Sequence, residues 1–436
     1  MLYPNWLDGT LTWTQIVAPH NEHRIVLTRL ADLALFSVSG GWNPWTQMLF
    51  NAALHAATAA GLAAMFWPAL DRAGRTIFVA VLAVVFAGTS GWQNALWGFQ
   101  SQVYFANLLT LGAIAGATSS PLSRGWWWGW LAALLALFAN ASGWLASITL
   151  FALDGGTMLR TPNRQAWRGF WPLTLLVLAG YLVQVRAPQH QSLHARDFEQ
   201  FVTVFFRCLA WPHVTHGLLA VLMQLPLAWW LVDLWRSGKT AEPADRWILA
   251  LGLFAGLHAA SVAYTRGAGL PEDRPLSRYQ DPLLLGLAAQ ACAGIVLAQR
   301  HGLLARLALL AWLAALAFGL VALTEFNLTL NLPYKRAHDA ASLANIRDYV
   351  RTGDATVLNR KFGFAEPPED PAVMRRVLDD PRVRRTLPAA LYATDLINVN
   401  RPPFVVRYSP WLTTIAGVAL ALAIAVAPRR RLRPFG

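Results

Sequence analysis

Long apolar runs, each near the length that crosses a lipid bilayer, recur along most of this 436-residue chain. A helix needs about 20 apolar residues to cross the hydrocarbon core. The runs lie at about 46–68, 76–91, 102–118, 168–186, 214–235, 247–264, 282–299, 307–325 and 410–428, with two shorter runs between 126 and 153. Because 56% of the residues are hydrophobic and only 14% are charged, the sequence predicts an all-α integral membrane protein with about 11 transmembrane helices.

The basic residues between these runs predict the orientation of the chain. One set of loops and the C-terminal RRRLR stretch hold most of the Arg and Lys residues, which is typical of the cytoplasmic side. With 11 spans and a cytoplasmic C-terminus, the first 45 residues lie outside the cytoplasm. A charged segment of this length needs a preceding helix or a signal peptide to be translocated, so the sequence predicts a further helix upstream and about 12 spans in the intact protein. The strong preference for Arg over Lys is typical of GC-rich bacteria, so the expected location is the bacterial inner membrane, with a cytoplasmic C-terminus.

The chain divides into four predicted regions. Residues 1–45 form an outer-face interfacial segment with a candidate catalytic loop, 46–325 a polytopic bundle, 326–409 an extracytoplasmic cap, and 410–436 a final transmembrane helix with a basic tail. In the cap, apolar spacing predicts one helix that ends at Gly353 and two short helices separated by Pro381.

Composition also limits the partners and metals to expect. The net charge of +13 lies in short clusters between apolar runs rather than on one face, so no nucleic-acid partner is expected. Cys208 and Cys292 lie in apolar surroundings without metal-type neighbours, so no metal site is predicted.

The segment PHNEHR places ionisable side chains directly before a stretch whose apolar spacing predicts an interfacial helix. Glu22, in the first turn of that helix, has two interpretations: together with Asn21 it caps the helix, or it is a catalytic carboxylate. The predicted spans contain no acidic residue near their centres. Chemistry is therefore expected at the outer interface rather than at mid-membrane depth.

The loop GWQNALWGFQSQ alternates aromatic rings with amides. These residues are Trp92, Trp97, Phe99, Gln93, Asn94, Gln100 and Gln102. A sugar packs its axial hydrogens on an aromatic ring and needs directional partners for its hydroxyl groups, so the pattern favours sugar binding over a simple aromatic belt. Basic side chains suited to phosphate, or equally to solvated loop charge, lie on neighbouring outer loops: Arg266, Arg274, Arg278, His190 and His194.

The order of PHNEHR with TRL, then WQNALWGFQ, FANASGWLA and SRYQDPLLLGL, resembles that of bacterial polytopic proteins similar to the GT-C fold glycosyltransferases. The resemblance implies transfer of a sugar, with inversion, from a polyprenyl-phosphate donor to an acceptor at the outer face of the membrane. It implies that an acidic residue of the first outer loop is the general base and that other outer-loop groups hold the donor phosphate.

Carried over to this chain, the resemblance implies Glu22 as the base and Asp8 as the other candidate, or a base upstream of Met1. It implies substrate binding by Asn21, His23, Arg24, Trp92, Gln93, Asn94, Trp97, Gln100, Arg278 and Tyr279. It implies no organic cofactor and leaves a divalent cation open. The implied partners are membrane lipid, a lipid-linked sugar, and a saccharide, lipid or protein acceptor.

Two other functions share these features. A carrier or flippase for a lipid-linked saccharide would need the aromatic and basic outer loops but no base. A non-catalytic envelope assembly protein would use its outer cap to recruit partners. A lipid-sized groove that ends at Glu22 would favour the transferase, whereas two alternating gates would favour the carrier.

Overall fold

The structure is a computed structural model and describes residues 1–160, 164–185, 187–213, 218–238, 242–268, 277–360, 370–388 and 391. Over these ranges the chain is helical, with short turns and no β-sheet. The predicted all-α fold is therefore confirmed for the described residues. The predicted final span at 410–428 lies outside them.

The helices run in the following order. They are α1 (Leu2–Leu7), α2 (Trp13–Val17), α3 (Val26–Ser39), α4 (Pro44–Phe66), α5 (Arg72–Ala87), α6 (Trp92–Ala95), α7 (Ser101–Gly116), α8 (Arg124–Ala136), α9 (Gly143–Arg160), α10 (Arg164–Val183), α11 (Phe198–Ala210), α12 (Leu219–Ser237), α13 (Pro243–Arg266), α14 (Asp281–Arg300), α15 (Gly302–Phe326), α16 (Leu332–Thr352), α17 (Pro371–Asp379) and α18 (Pro381–Arg384). Short 3₁₀ helices include Gly98–Gln100, Pro188–Leu193 and Ser277–Tyr279.

Helix α14 is the centre of the bundle. Every residue from Asp281 to Ala298 is buried, because α5, α7, α12, α13 and α15 all pack against it. A helix that is apolar on all sides needs such complete enclosure or a lipid environment. Gln290, its one mid-helix amide, is satisfied by polar groups of α12.

Helix α12 contains a proline whose freed backbone groups find partners on neighbouring helices. Pro226 lies inside the helix and disturbs the hydrogen bonds of the turn before it. The Leu227 N–H donates to Gln290 Oε1 (2.9 Å), and Trp312 Nε1 donates to the Met223 carbonyl (3.1 Å). Side chains of α14 and α15 thus satisfy backbone groups that would otherwise be costly to bury in a membrane.

Four of the described helical segments are long and apolar enough to cross a membrane: Pro44–Ala69, Pro243–Arg266, Asp281–Arg300 and Gly302–Thr352. These helices are compatible with membrane insertion, and α15 also exposes a row of large apolar side chains. They do not support a count of about 11 spans. Several predicted spans correspond to shorter helices, such as α5 and α7 with 16 residues each and α8 with 13.

The helix continues through the predicted boundary at residue 326. A π-helical segment, Asn327–Asn331, joins α15 to α16 without a break. Buried Asn327 fixes this junction by donating to the carbonyl and hydroxyl oxygens of Thr89 (3.1 Å each). Beyond it, α16 ends at Gly353, which adopts a left-handed φ of 73°, and α17 and α18 are separated at Pro381.

The cap and the N-terminal segment lie at the same end of the bundle. Arg385, just after α18, donates to a carboxylate oxygen of Asp8 (2.7 Å), and α18 contacts α1. The short runs between 126 and 153 form two helices, α8 and α9, joined by a turn at Asn140 and Ala141. This turn lies against the start of α3, because the Leu27 N–H donates to the Phe138 carbonyl (3.3 Å).

Candidate functional site

A tight turn precedes α3 and presents Glu22. The backbone N–H groups and carbonyls of His20 and His23 bond reciprocally (2.8 and 2.9 Å), and Asn21 between them adopts a left-handed φ of 50°. Helix α3 begins only at Val26, so Glu22 is not in its first turn. The interpretation of Glu22 and Asn21 as helix caps is therefore wrong, since neither side chain bonds to the start of α3.

The Glu22 carboxylate is held by a cation from α13 and an imidazole from the loop after α10. Arg266 Nη1 donates to Glu22 Oε1 (3.1 Å), and Arg266 Nη2 donates to Oε2. His190 Nδ1 lies 2.7 Å from Oε1. Arg266 Nε also donates to the Tyr279 hydroxyl (2.8 Å). We call these four residues, Glu22, His190, Arg266 and Tyr279, the Glu22 cluster.

This arrangement keeps Glu22 ionised. Burial alone raises the pKa of the carboxyl, because a charge is costly away from water. The hydrogen bonds and positive charge of Arg266, together with those of His190, outweigh burial and lower the pKa of Glu22 below its usual value. Glu22 is therefore a carboxylate at neutral pH and a weak proton acceptor for as long as Arg266 holds it.

The loop from Ser90 to Gln102 is joined to the segment before α14. Asn94 Nδ2 donates to the Arg278 carbonyl (3.1 Å) and to Asp281 Oδ2 (2.7 Å). Gln93 Oε1 accepts from the Arg278 N–H (3.3 Å). The structure thus places Gln93, Asn94, Arg278 and Tyr279 side by side, and Tyr279 connects them to Arg266.

A second set of amides joins this loop to the turn between α8 and α9. Asn140 Nδ2 donates to Gln102 Oε1, and Gln102 Nε2 donates to Gln100 Oε1 (3.3 Å each). The Ala141 N–H in the same turn donates to His23 Nδ1 (3.2 Å). The stretches PHNEHR, WQNALWGFQ, FANASGWLA and SRYQDPLLLGL therefore meet at one end of the bundle.

Aromatic rings lead from the surface toward the Glu22 cluster. Trp97 is 54% exposed, and its ring centroid lies 6.3 Å from that of Phe99. Phe99 in turn meets the His20 imidazole edge-on at 4.9 Å. Trp92 is half-buried at the start of α6. No direct bond from this loop to the Glu22 carboxylate occurs among the described residues.

Three predicted site residues have structural roles away from the Glu22 carboxylate. Arg24 donates to the backbone carbonyls of Val183 (3.2 Å) and Val17 (2.9 Å), so its described bonds hold the N-terminal segment in place. Asn21 serves the turn through its left-handed backbone. Asp8 forms its ion pair with Arg385 of the cap. The structure does not bring Arg24 or Asp8 to the Glu22 carboxylate.

Two buried carboxylates, Asp32 and Asp281, are not among the site residues predicted from the sequence. Asp32 on α3 is only 6% exposed and accepts from Gln47 Nε2 (2.6 Å). Asp281 is buried at the first position of α14 beside Asn94. Asp32 lies among the regularly spaced apolar residues of α3, and Asp281 forms an Asp-Pro pair at the start of an apolar run. Either pattern could have indicated a buried carboxylate, but both also fit a solvated surface position.

Groups of three or more metal-ligand side chains do not occur in the part of the chain that the structure describes. Arg274, a predicted phosphate ligand, lies outside the described residues. The ring centroid of His194, another predicted phosphate ligand, lies 5.2 Å from that of Tyr264. In comparisons with known proteins, no family model, curated protein or solved structure matches the chain. A functional assignment therefore has to be argued from the Glu22 cluster itself.

Proposed function

We propose that the chain is a membrane glycosyltransferase that transfers a sugar from a polyprenyl-phosphate donor to an acceptor at the outer face of the membrane. The observation that carries the proposal is the Glu22 cluster. The guanidinium of Arg266 donates to both oxygens of the Glu22 carboxylate, and the imidazole of His190 contacts one of them. The same set of donors is suited to a phosphate group. An incoming phosphate would therefore compete with Glu22 for Arg266.

This competition couples substrate binding to activation of the base. When the donor phosphate takes Arg266 and His190, the carboxylate loses the contacts that lower its pKa. Glu22 becomes a better proton acceptor only when the donor is bound. A base of this kind contributes about 10² to 10⁴ in rate.

The chemical step then balances simply. Glu22 takes the proton of an acceptor hydroxyl, and the acceptor oxygen bonds to the anomeric carbon of the sugar with inversion. The bond from that carbon to the phosphate oxygen breaks, and its electron pair leaves with the polyprenyl phosphate. Arg266 stabilises the charge that develops on the leaving phosphate.

The apolar helices α13 and α14 are suited to a donor that carries a lipid chain. Helices α13 and α14 are long and apolar enough to span a membrane. Helix α13 ends at Arg266, a member of the Glu22 cluster, and α14 begins at Asp281, two residues after Tyr279 of the same cluster. A lipid chain could lie along such helices while its phosphate reaches Arg266. We also propose about 11 spans in a bacterial inner membrane, with a cytoplasmic C-terminus.

Side chains around the cluster are suited to the sugar and acceptor. Gln93 and Tyr279 offer polar contacts, and the exposed ring of Trp97 offers a face for a saccharide. The acceptor belongs to the saccharide, lipid or protein class.

Binding of polyprenyl monophosphate, compared with the uncharged polyprenol, tests the phosphate site. The Arg266→Gln variant should bind polyprenyl monophosphate about 10- to 100-fold more weakly, the usual scale for losing a charge-assisted hydrogen bond. The Glu22→Gln variant should bind it at least as tightly as the wild type, because a competing carboxylate is gone. Isothermal titration of the purified protein in detergent measures both.

Arg75→Gln is the matched control, since Arg75 contacts the Trp67 carbonyl (3.0 Å) at the opposite end of α4 and should leave binding unchanged. Equal binding of polyprenyl monophosphate and polyprenol by the wild type would contradict the proposal. Normal binding by Arg266→Gln would contradict the role of this arginine.

A further inference from the structure

His23 occupies a position in the Glu22 turn that fixes the location of its proton. The reciprocal backbone bonds with His20 hold the residue next to Glu22. On its other side, the Ala141 N–H donates to His23 Nδ1 (3.2 Å). A ring nitrogen that accepts from an N–H carries no proton itself, so a neutral His23 must carry its proton on Nε2.

The surroundings of His23 oppose a second proton. A charged imidazole would need a proton on Nδ1, directed at the Ala141 N–H. Burial also disfavours the charged ring, the neighbouring Arg266, His20 and His190 oppose it, and only Glu22 favours it. The pKa of His23 is lowered to about 4 as a result. Near neutral pH the residue is therefore a neutral imidazole that can donate one hydrogen bond.

The Nε2–H of His23 has no hydrogen-bond partner among the residues that the structure describes. The side chain is half-buried rather than sealed, so the group remains accessible. His23 directly follows Glu22 in the turn closed by the His20 and His23 backbone bonds, so it lies beside the residues of the proposed phosphate site. We infer that His23 donates an Nε2–H hydrogen bond to a phosphate oxygen of the lipid donor, an inference that rests on the proposed function.

Two conservative substitutions separate this role from a structural one. In His23→Asn the side-chain oxygen lies near the position of Nδ1 and can still accept from Ala141, but nothing reaches the position of Nε2. In His23→Gln the amide nitrogen reaches that position, while the acceptor for Ala141 is displaced. A donor role and a structural role therefore predict opposite orders of the two variants.

The binding experiment uses polyprenyl monophosphate and the whole 436-residue chain. We expect His23→Asn to keep the wild-type thermal unfolding midpoint and to bind about tenfold or more weakly, the scale for one hydrogen bond to a charged group. We expect His23→Gln to bind within a few-fold of the wild type. If His23→Asn binds normally and His23→Gln does not, the inference is overturned while the proposed function stands.

The tautomer is measured independently of any ligand. Two-bond ¹H–¹⁵N correlations of histidine-labelled protein should show His23 protonated at Nε2 and unchanged from about pH 5.5 to pH 8. A proton on Nδ1, or titration near the ordinary histidine value, overturns the inference. If the wild type fails to bind polyprenyl monophosphate at all, the proposed function fails and the donor role fails with it.

Discussion

Glu22 and Asp32 are ten residues apart, yet their surroundings shift their pKa values in opposite directions. Arg266 and His190 hold the Glu22 carboxylate and lower its pKa. Asp32 has an amide partner, Gln47, and no ion pair among the described residues, so burial raises its pKa to about 6. Local sequence could not separate the two, because the deciding partner of Glu22 lies 244 residues away.

Asp32 should make the protein less stable as the pH rises. Its pKa is about 6 in the folded protein, against 3.8 as the ordinary value, so the folded state binds the proton more tightly. Stability is then lost between about pH 4 and pH 6, and the loss is complete above that range. Asp32→Asn keeps an oxygen for Gln47 and removes the charge, so it should be more stable than wild type at pH 8 by up to about 3 kcal/mol.

Thermal unfolding midpoints of the two proteins at pH 4.5 and pH 8 check this. The difference between them at pH 4.5, where the folded wild-type carboxyl is mostly protonated but the unfolded one is mostly ionised, should be only about a third of the difference at pH 8. An equal difference at both values would show that Asp32 is not a buried charge in the folded protein.

At the scale of helices, the apolar runs and the glycine and proline residues between them predict many of the observed helices and their ends. Gly353 ends α16 and Pro381 separates α17 from α18, as the sequence indicates. The number of membrane spans is harder to predict from the apolar runs, because an apolar helix can face either lipid or protein. Helix α14 is enclosed by neighbours along its apolar stretch, whereas α15 is largely exposed, and their hydropathy alone does not distinguish these cases.

The contact between α7 and α8 depends on two glycines. A Cβ atom at Gly116 would lie 2.4 Å from Gly129 Cα, so the helix backbones would have to separate. We expect Gly116→Ala to destabilise the protein by about 1–3 kcal/mol, the usual cost of overpacking. A lowered thermal unfolding midpoint would show it.

Gly112→Ala, one turn earlier on α7, is the matched control. A Cβ atom there meets Ala132 Cβ at 3.5 Å, an ordinary contact, and alanine favours a helix over glycine by up to about 1 kcal/mol. This variant should be as stable as wild type or slightly more stable. If Gly116→Ala also behaves in this way, the close approach of the two helices is not required for stability.

At the scale of the whole molecule, distant parts of the chain meet at one end of the bundle. The turn with Glu22, the loop with Asn94, the α8–α9 turn and the segment before α14 are joined by side-chain hydrogen bonds. The cap is joined to the same end through Arg385 and Asp8. The sequence predicts which stretches are polar, but only the packing of α7, α9, α13 and α14 brings these stretches together.

Transfer of sugar by the Glu22→Gln variant measures whether Glu22 is the base. The purified protein is supplied with the lipid fraction of the expressing cells, and the products are followed by mass spectrometry, with exposed Glu199→Gln as the control for the same chemical change. We expect Glu22→Gln to bind polyprenyl monophosphate but to transfer sugar about 10²-fold or more slowly, whereas Glu199→Gln should be unaffected. Normal transfer by Glu22→Gln, or loss of transfer in Asp8→Asn alone, would contradict this role of Glu22.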